Sequence, residues 1–242
     1  MIYNTNGNSE LSMFYDGDSS WLKISGSLIA INVRGPHQNF PNSYLVKCNF
    51  KSNRVNEILK KLDFEFTSSI NFFENNAEKF ERLLSFFEPG QYYIATPVYN
   101  IFGLNCFVEE EFKLIIGNFE TGLAPFLCVR DKLDLDIDVI ESYKQNILNG
   151  INPIIISYRK DYGSETGDSY IIDGHHKLIA YHELKIEPKI WEIVKLHDEV
   201  YDETDQELCK FLNHKEIKDT SLKYFYKTTE DHNGLLTKIS IK

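Results

Sequence analysis

The sequence predicts an α+β protein, on three observations. The first hundred residues contain apolar, strand-like runs such as WLKISGSLIAINV, which begins at Trp21. Two charged segments in the same part, 52–62 and 76–87, carry apolar residues at helical spacing. Beyond residue 131 the pattern changes and predicts a helix, two strands, a second helix and a third strand, in that order. Short strands and helices mixed in this way are typical of an α+β fold.

The change of pattern predicts two domains, with the boundary after residue 125. Residues 1–125 are expected to form an α+β domain of unknown role, and residues 126–242 a second α+β domain with a C-terminal helical tail. In the first domain we expect no regular structure over 1–20 and two helices, of which the second ends at Pro89-Gly90. Its predicted strands lie at 21–33, 43–50 and within 91–119.

The second predicted domain opens on a helix with Val139, Ile140, Tyr143, Ile147 and Leu148 at helical spacing, before the Asn149-Gly150 end signal. Its remaining predicted elements are strands at 153–157 and 169–173, a helix at 177–184, a strand within 186–194 and a charged helix at 202–217.

Composition and charge limit the classes of function. The 242 residues carry 36 Asp and Glu against 26 Lys and Arg, for a net charge of −10. Both predicted domains are acidic, so sequence-independent DNA binding, which depends on neutralising phosphates with Lys and Arg, is disfavoured. No membrane span and no signal-peptide pattern is found, and the four cysteines form no CxxC pair. We therefore expect a cytoplasmic protein without a membrane partner.

The segment Asp173-Gly174-His175-His176-Lys177 is the most informative motif. An apolar strand ends in an acid, a glycine turns the chain, and three basic or proton-bearing side chains occupy the first turn of a helix. Helix N-termini attract anions, and cations placed there oppose the helix dipole. A bound anion would neutralise them, and Gly174 permits close approach of a phosphate to the backbone. The residues alone therefore predict a site for phosphate or another oxyanion.

The run from NILNGINPIIIS through SYIIDGHHKLIAYHELKIEP to KIWEI resembles the ParB/sulfiredoxin superfamily, over roughly residues 130–196. The DGHH turn is most similar to that of its free-serine kinase branch. The resemblance implies that Gly174, His175, His176 and Lys177 hold nucleotide phosphates. It also implies that Asp173 and an upstream carboxylate act on the hydroxyl of an acceptor. For that second carboxylate we take Glu141, with Asp134, Asp136 and Asp138 as the other candidates.

Two departures narrow what the resemblance implies. Sulfiredoxins have a catalytic cysteine where this chain has His175, and chromosome-partitioning members have arginines in the turn and a helix-turn-helix domain that is not found here. The expected function is therefore nucleotide or phosphate binding, with a kinase-like transfer from ATP, ADP or CTP with Mg²⁺ as its enzymatic form. Residues 1–125 resemble no family that we can identify.

Several alternatives stay open at this point. Asp173 is equally consistent with a carboxylate that caps the turn, and the two histidines with one buried and one solvated imidazole. A metal site formed by Asp173, His175, His176 and His182 is a further option, but no zinc spacing is found and no metal ligand is predicted. The second function hypothesis is a non-catalytic nucleotide sensor or immunity-type module that binds a protein through residues 1–125. A DNA-binding or nuclease-like protein is the third.

Overall fold

A computed structural model describes residues 2–15, 19–33, 44–48, 81, 83–95, 107–108, 113–116, 126–129, 135–161, 169–196, 222–228 and 236–239. The protein contains both sheets and helices, as expected for the α+β class. It forms two compact units. The first combines Met1–Glu10 with Glu57–Asp198, and the second combines Leu11–Asn56 with Glu199–Lys242.

The strands are, in chain order, β1 (Ile2–Thr5), β2 (Leu11–Tyr15), β3 (Ser19–Ile24), β4 (Ser27–Val33), β5 (Tyr44–Cys48), β6 (Gly90–Ala95), β7 (Phe107–Val108), β8 (Lys113–Ile116), β9 (Phe126–Cys128), β10 (Ile155–Asp161), β11 (Ser169–Asp173), β12 (Ile190–Leu196), β13 (Leu222–Thr228) and β14 (Leu236–Ile239). Two full helices are described, α1 (Ile137–Leu148) and α2 (His175–Leu184).

The first unit is built on a mixed eight-stranded sheet in the order β1-β6-β12-β10-β11-β9-β8-β7. The pairs β10/β12 and β11/β9 are parallel, and the other pairs are antiparallel. Helices α1 and α2 pack against the centre of this sheet. The shared core contains Leu135, Ile140, Ile147, Ile155, Ile171, Leu178, Ile179, Ala180, Tyr181 and Ile190. The predicted order of helix, two strands, helix and strand is confirmed over residues 137–196.

Helix α1 shows how local signals set its ends and its buried face. Asp136 caps the N-terminus by accepting a hydrogen bond from the Asp138 backbone N–H (2.9 Å), and Gly150 follows the C-cap with φ +83°. Ile140 and Ile147 are buried, whereas Leu148 is 61% exposed. The predicted apolar face therefore included one residue too many, because Leu148 lies outside the face of α1 that packs in the core.

The second unit is an antiparallel six-stranded sheet in the order β14-β13-β5-β4-β3-β2. Its β3–β4 hairpin turns at Ser25-Gly26, both with positive φ (+50° and +74°), as a two-residue hairpin turn requires. Alternate residues Leu11 and Met13 of β2, and Leu22 and Ile24 of β3, are fully buried.

The structure divides the chain differently from the predicted boundary after residue 125. Strand β6 pairs with β12, which joins part of the predicted first domain to the second. Strand β13 pairs with β5, which returns the C-terminal residues to the N-terminal sheet. Strand pairing between distant segments leaves no local pattern in the sequence. The change in hydrophobic pattern near residue 131 therefore could not indicate which strands pair across the predicted boundary.

Several element predictions are corrected by the structure, and others fall outside the described residues. The stretch 1–20, expected to be irregular, contains β1, β2 and the start of β3. The C-terminal tail, expected to be helical, contains strands β13 and β14, while the helices predicted at 52–62 and 202–217 lie outside the described residues. Of the helix predicted at 76–87, residues 81, 83 and 84 are helical, and residues 76–80 and 82 are not described. No helix among the described residues is long and apolar enough to cross a lipid bilayer.

Candidate functional site

The turn between β11 and α2 depends on Gly174. Its backbone is left-handed (φ +98°, ψ +22°), and a Cβ at this position would lie 3.1 Å from both Cα and Cγ1 of Ile155. Only glycine meets both conditions without strain. Gly174 is the N-cap of α2 and provides no side-chain cap, and the first turn contains no acidic residue. This helix therefore begins without the carboxylate or hydroxyl that usually stabilises an N-terminus.

Asp173 and Lys177 meet across this turn. The Lys177 Nζ donates to Asp173 Oδ2 at 2.6 Å and to the backbone oxygen of Ile154 at 3.2 Å. Both side chains are at least 90% buried, and Nζ lies 5.9 Å from the centre of the Tyr143 ring. The sequence predicted that Lys177 would contact phosphate and that Asp173 would act on an acceptor. The structure brings the two residues together as one ion pair.

The two histidines accept hydrogen bonds from the backbone. His175 Nε2 accepts from the Val129 N–H (3.2 Å), and His176 Nε2 accepts from the Asp136 N–H (3.1 Å). A protonated imidazole cannot accept at either nitrogen, so this geometry requires the neutral rings with the proton on Nδ1. Neutral rings do not oppose the helix dipole, which gives a second reason why two histidines are tolerated at this end of α2. Both bonds connect the turn to the chain on the N-terminal side of α1.

A register shift precedes the turn. Ile156 of β10 is opposite Asp173 of β11, but the next residue, Ser157, is opposite Ile171. The skipped residue, Ile172, is the extra one of a β-bulge. Bulges re-aim the side chains beside them. Asp173 is therefore placed by this irregularity as well as by its ion pair with Lys177.

Glu141 and Asp173 are not joined by a hydrogen bond or ion pair among the described residues. Within the described part of the chain, Glu141 contacts Lys144 alone (2.8 Å), and Lys144 also contacts Glu183 of α2 (3.2 Å). Hydrogen bonds to these two carboxylates raise the pKa of Lys144, chiefly the bond to Glu141. Of the other candidate carboxylates, Asp136 and Asp138 are exposed at the start of α1, where the Asp136 backbone N–H donates to His176 of the turn, and Asp134 lies outside the described residues.

Sequence reasoning missed three features of this site. The Asp173–Lys177 pair could have been predicted, because opposite charges four residues apart commonly pair within a helix. Here the same spacing forms a pair across a strand-to-helix turn. No local pattern predicts the hydrogen bonds that the histidines accept or the bulge at Ile172. Both depend on residues that are distant in the sequence and adjacent only in the fold. Among the described residues, no group of three or more His, Cys, Asp or Glu side chains is arranged to hold a metal ion.

A second charged cluster, which the sequence did not indicate, lies elsewhere in the first unit. Glu88 Oε2 contacts Lys195 Nζ (2.8 Å) and Lys160 Nζ (3.1 Å). The Tyr158 hydroxyl donates to the other oxygen of Glu88 at 3.3 Å. All three charged side chains are more than 85% buried. One carboxylate therefore joins β10 and β12 through two lysines.

Comparison with known proteins adds no relative: the chain matches no protein-family model, no curated protein and no solved structure. The resemblance to the ParB/sulfiredoxin superfamily therefore depends on the residues of the Gly174 turn and its flanking elements. What can be inferred about function depends on those residues and on their geometry.

Proposed function

We propose that this protein binds the phosphate group of a nucleotide at the Gly174 turn, in the manner that the resemblance to the ParB/sulfiredoxin superfamily implies. The observation that carries the proposal is the junction of β11 and α2 through a left-handed glycine with no side-chain cap. Such a junction presents backbone N–H groups and the positive end of the helix dipole to a ligand. The first turn of α2 has no carboxylate to repel an anion.

The ion pair and the histidine hydrogen bonds determine which groups of the turn would contact the phosphate. The backbone of Gly174 to Lys177 provides the principal contacts to phosphate, because the Lys177 ammonium is held by Asp173 and the Ile154 oxygen. Because their Nε2 atoms accept backbone hydrogen bonds, His175 and His176 would approach a phosphate through Nδ1–H or after protonation. The proposed ligand is ATP, ADP or CTP with Mg²⁺.

The enzymatic form of the proposal is a phosphotransferase that acts on a small hydroxyl-bearing acceptor. The acceptor oxygen attacks the terminal phosphorus, the bond from phosphorus to the leaving nucleotide oxygen breaks, and Asp173 takes the hydroxyl proton. Lys177 holds Oδ2 of Asp173 in the turn. Mg²⁺, when bound, would be held chiefly by the nucleotide phosphates and would neutralise their charge.

A second candidate function is a non-catalytic nucleotide sensor, and the histidine bonds favour it. They tie the turn to Val129 and to Asp136, the residue that caps α1. A ligand that moves either imidazole would change those bonds and so the position of α1. In this form Asp173 and Lys177 only stabilise the turn.

Equilibrium titration of the full chain with ATP, ADP and CTP, each with Mg²⁺, tests the proposal. Binding at millimolar concentration or tighter is expected for at least one nucleotide, and His176→Ala should weaken it. His182→Ala is the matched control, because His182 lies in the last turn of the same helix. No binding to any nucleotide would contradict the proposal. Salt-sensitive binding to duplex DNA instead would favour the third hypothesis.

A further inference from the structure

The face of the first sheet that carries Ile155, Ile171 and Ile190 changes from apolar to polar along its central strands. These three isoleucines belong to the core shared with α1 and α2. Ser157 follows Ile155 by two residues on β10 and therefore lies on the same face. Glu192 follows Ile190 by two residues on β12 and also lies on this face. The register pairs Ser157 with Glu192. Both side chains are almost fully buried.

Two serine hydroxyls on this face are buried without a hydrogen-bond partner. Ser157 and Ser169 are 0% and 1% exposed, and within the described part of the chain only Trp21 Nε1 shares this condition among buried side-chain atoms. Ser157 is opposite Ile171, so Ser169, two residues earlier on β11, is its diagonal neighbour on the same face. Diagonal Cβ atoms lie about 7 Å apart, a separation that one guest oxygen between two hydroxyls spans.

The charge beside these hydroxyls indicates what kind of guest fits. Arg159 Nε contacts Glu192 Oε2 at 2.9 Å, and both side chains are at least 85% buried. The pair is neutral as a whole and offers both a donor and an acceptor. Because the two charges largely cancel, the pair gives a charged guest little net attraction to offset the cost of burying its charge. An uncharged oxygen that both donates and accepts does not incur that cost.

We propose that Ser157 and Ser169 share one uncharged, hydroxyl-type oxygen, belonging to a buried water or to a hydroxyl of a bound polyol such as a sugar. This site is separate from the phosphate proposal and does not rest on it. A buried hydroxyl without a hydrogen-bond partner loses the free energy of its hydration. One guest oxygen, which makes two to four hydrogen bonds, can satisfy both serine hydroxyls at once.

A double-mutant cycle tests the shared guest. Ser157→Ala, Ser169→Ala and the double variant are compared with the parent chain by thermal unfolding. If one oxygen bridges the hydroxyls, each single change should lower Tm by about 2–4 °C. The double change should lower it by clearly less than the sum, since the bridge is already lost after the first. Single variants that unfold at or above the Tm of the parent chain would overturn the proposal.

Two measurements on the parent chain keep the test decisive if a variant fails to fold. A high-resolution crystal structure should show density within hydrogen-bond distance of both Oγ atoms, and an empty space there would overturn the proposal. Thermal unfolding in the presence of millimolar ribose distinguishes a polyol hydroxyl from a buried water. A Tm increase in the parent chain that is absent from the double variant supports a polyol hydroxyl, and no increase supports a buried water.

Discussion

Asp173 and Lys177, four residues apart across the β11–α2 turn, form a buried ion pair with 2.6 Å between Oδ2 and Nζ. Lys177 also donates to Ile154, which directly precedes β10, so the pair holds the end of one strand, the start of a helix and the start of the neighbouring strand. The proposed phosphate site and the stability of the first unit therefore depend on the same two side chains.

Removing one member of this pair should destabilise the first unit strongly. Lys177→Met leaves the Asp173 carboxylate buried without the compensating charge of Lys177, and breaking a buried pair in this way typically costs about 3–5 kcal/mol. The double variant Asp173→Asn with Lys177→Met removes both charges and should recover most of that loss. The free energy of unfolding from urea titration checks this. Equal losses in the single and double variants would mean that the ion pair does not determine the stability of the turn.

Asp173→Asn separates catalysis from binding. The amide keeps the size of the side chain and an oxygen for Lys177 but cannot take a proton from an acceptor. Because the change also removes one charge of the buried pair, urea titration first establishes that the variant is folded. Nucleotide affinity should change by only a few-fold, while phosphate transfer to any acceptor should fall by about 10²–10⁴. Titration and turnover measured on the same preparation check this. Unchanged turnover would reject the catalytic role, and an affinity loss as large as that of His176→Ala would support a purely structural Asp173.

Tyrosine ionisation should destabilise the first unit at alkaline pH. Burial raises the pKa of Tyr181, whose hydroxyl donates to the Pro153 oxygen at 3.0 Å; burial, followed by the Glu88 charge, raises the pKa of Tyr92. The folded state therefore holds these protons more tightly than the unfolded state. The resulting stability is complete below about pH 10, the ordinary tyrosine pKa, and declines as the pH rises above it.

Unfolding of the parent chain and of Tyr181→Phe between neutral pH and pH 11 measures this effect. The variant should lose less stability over the alkaline range, because phenylalanine has no proton to release. Identical slopes for the two proteins would show that Tyr181 ionises as freely in the fold as in the unfolded chain.

Glu88→Gln should destabilise the first unit because it leaves two buried lysines beside each other. Lys160 and Lys195 both contact the same Glu88 oxygen, and an amide cannot neutralise either. We expect a loss of about 3 kcal/mol in the free energy of unfolding. Glu183→Gln is the control: it removes a more exposed partner of Lys144 and should not move the urea midpoint measurably. Similar effects of the two changes would contradict the structural role of the Glu88 cluster.

The parts of this fold that the sequence predicted are those set by neighbouring residues. The strand–glycine–helix order around Gly174 and the end of α1 at Gly150 follow from local backbone preferences. The pairing of β13 with β5 could not be predicted, because no local pattern specifies which strand a segment will join. The hydrogen bonds of His175 and His176 were missed for the same reason, since Val129 and Asp136 approach the turn only in the folded chain.

The most direct test of the phosphate proposal follows the backbone amides of the turn itself. A ¹⁵N-labelled sample of the full chain is titrated with ATP and Mg²⁺, and the amide resonances of Gly174 to Lys177 are monitored. We predict saturable shifts of these amides at millimolar nucleotide or below, with inorganic phosphate moving the same resonances in the same direction. Resonances of Gly174 to Lys177 that stay in place while ATP saturates would contradict a phosphate site at this turn.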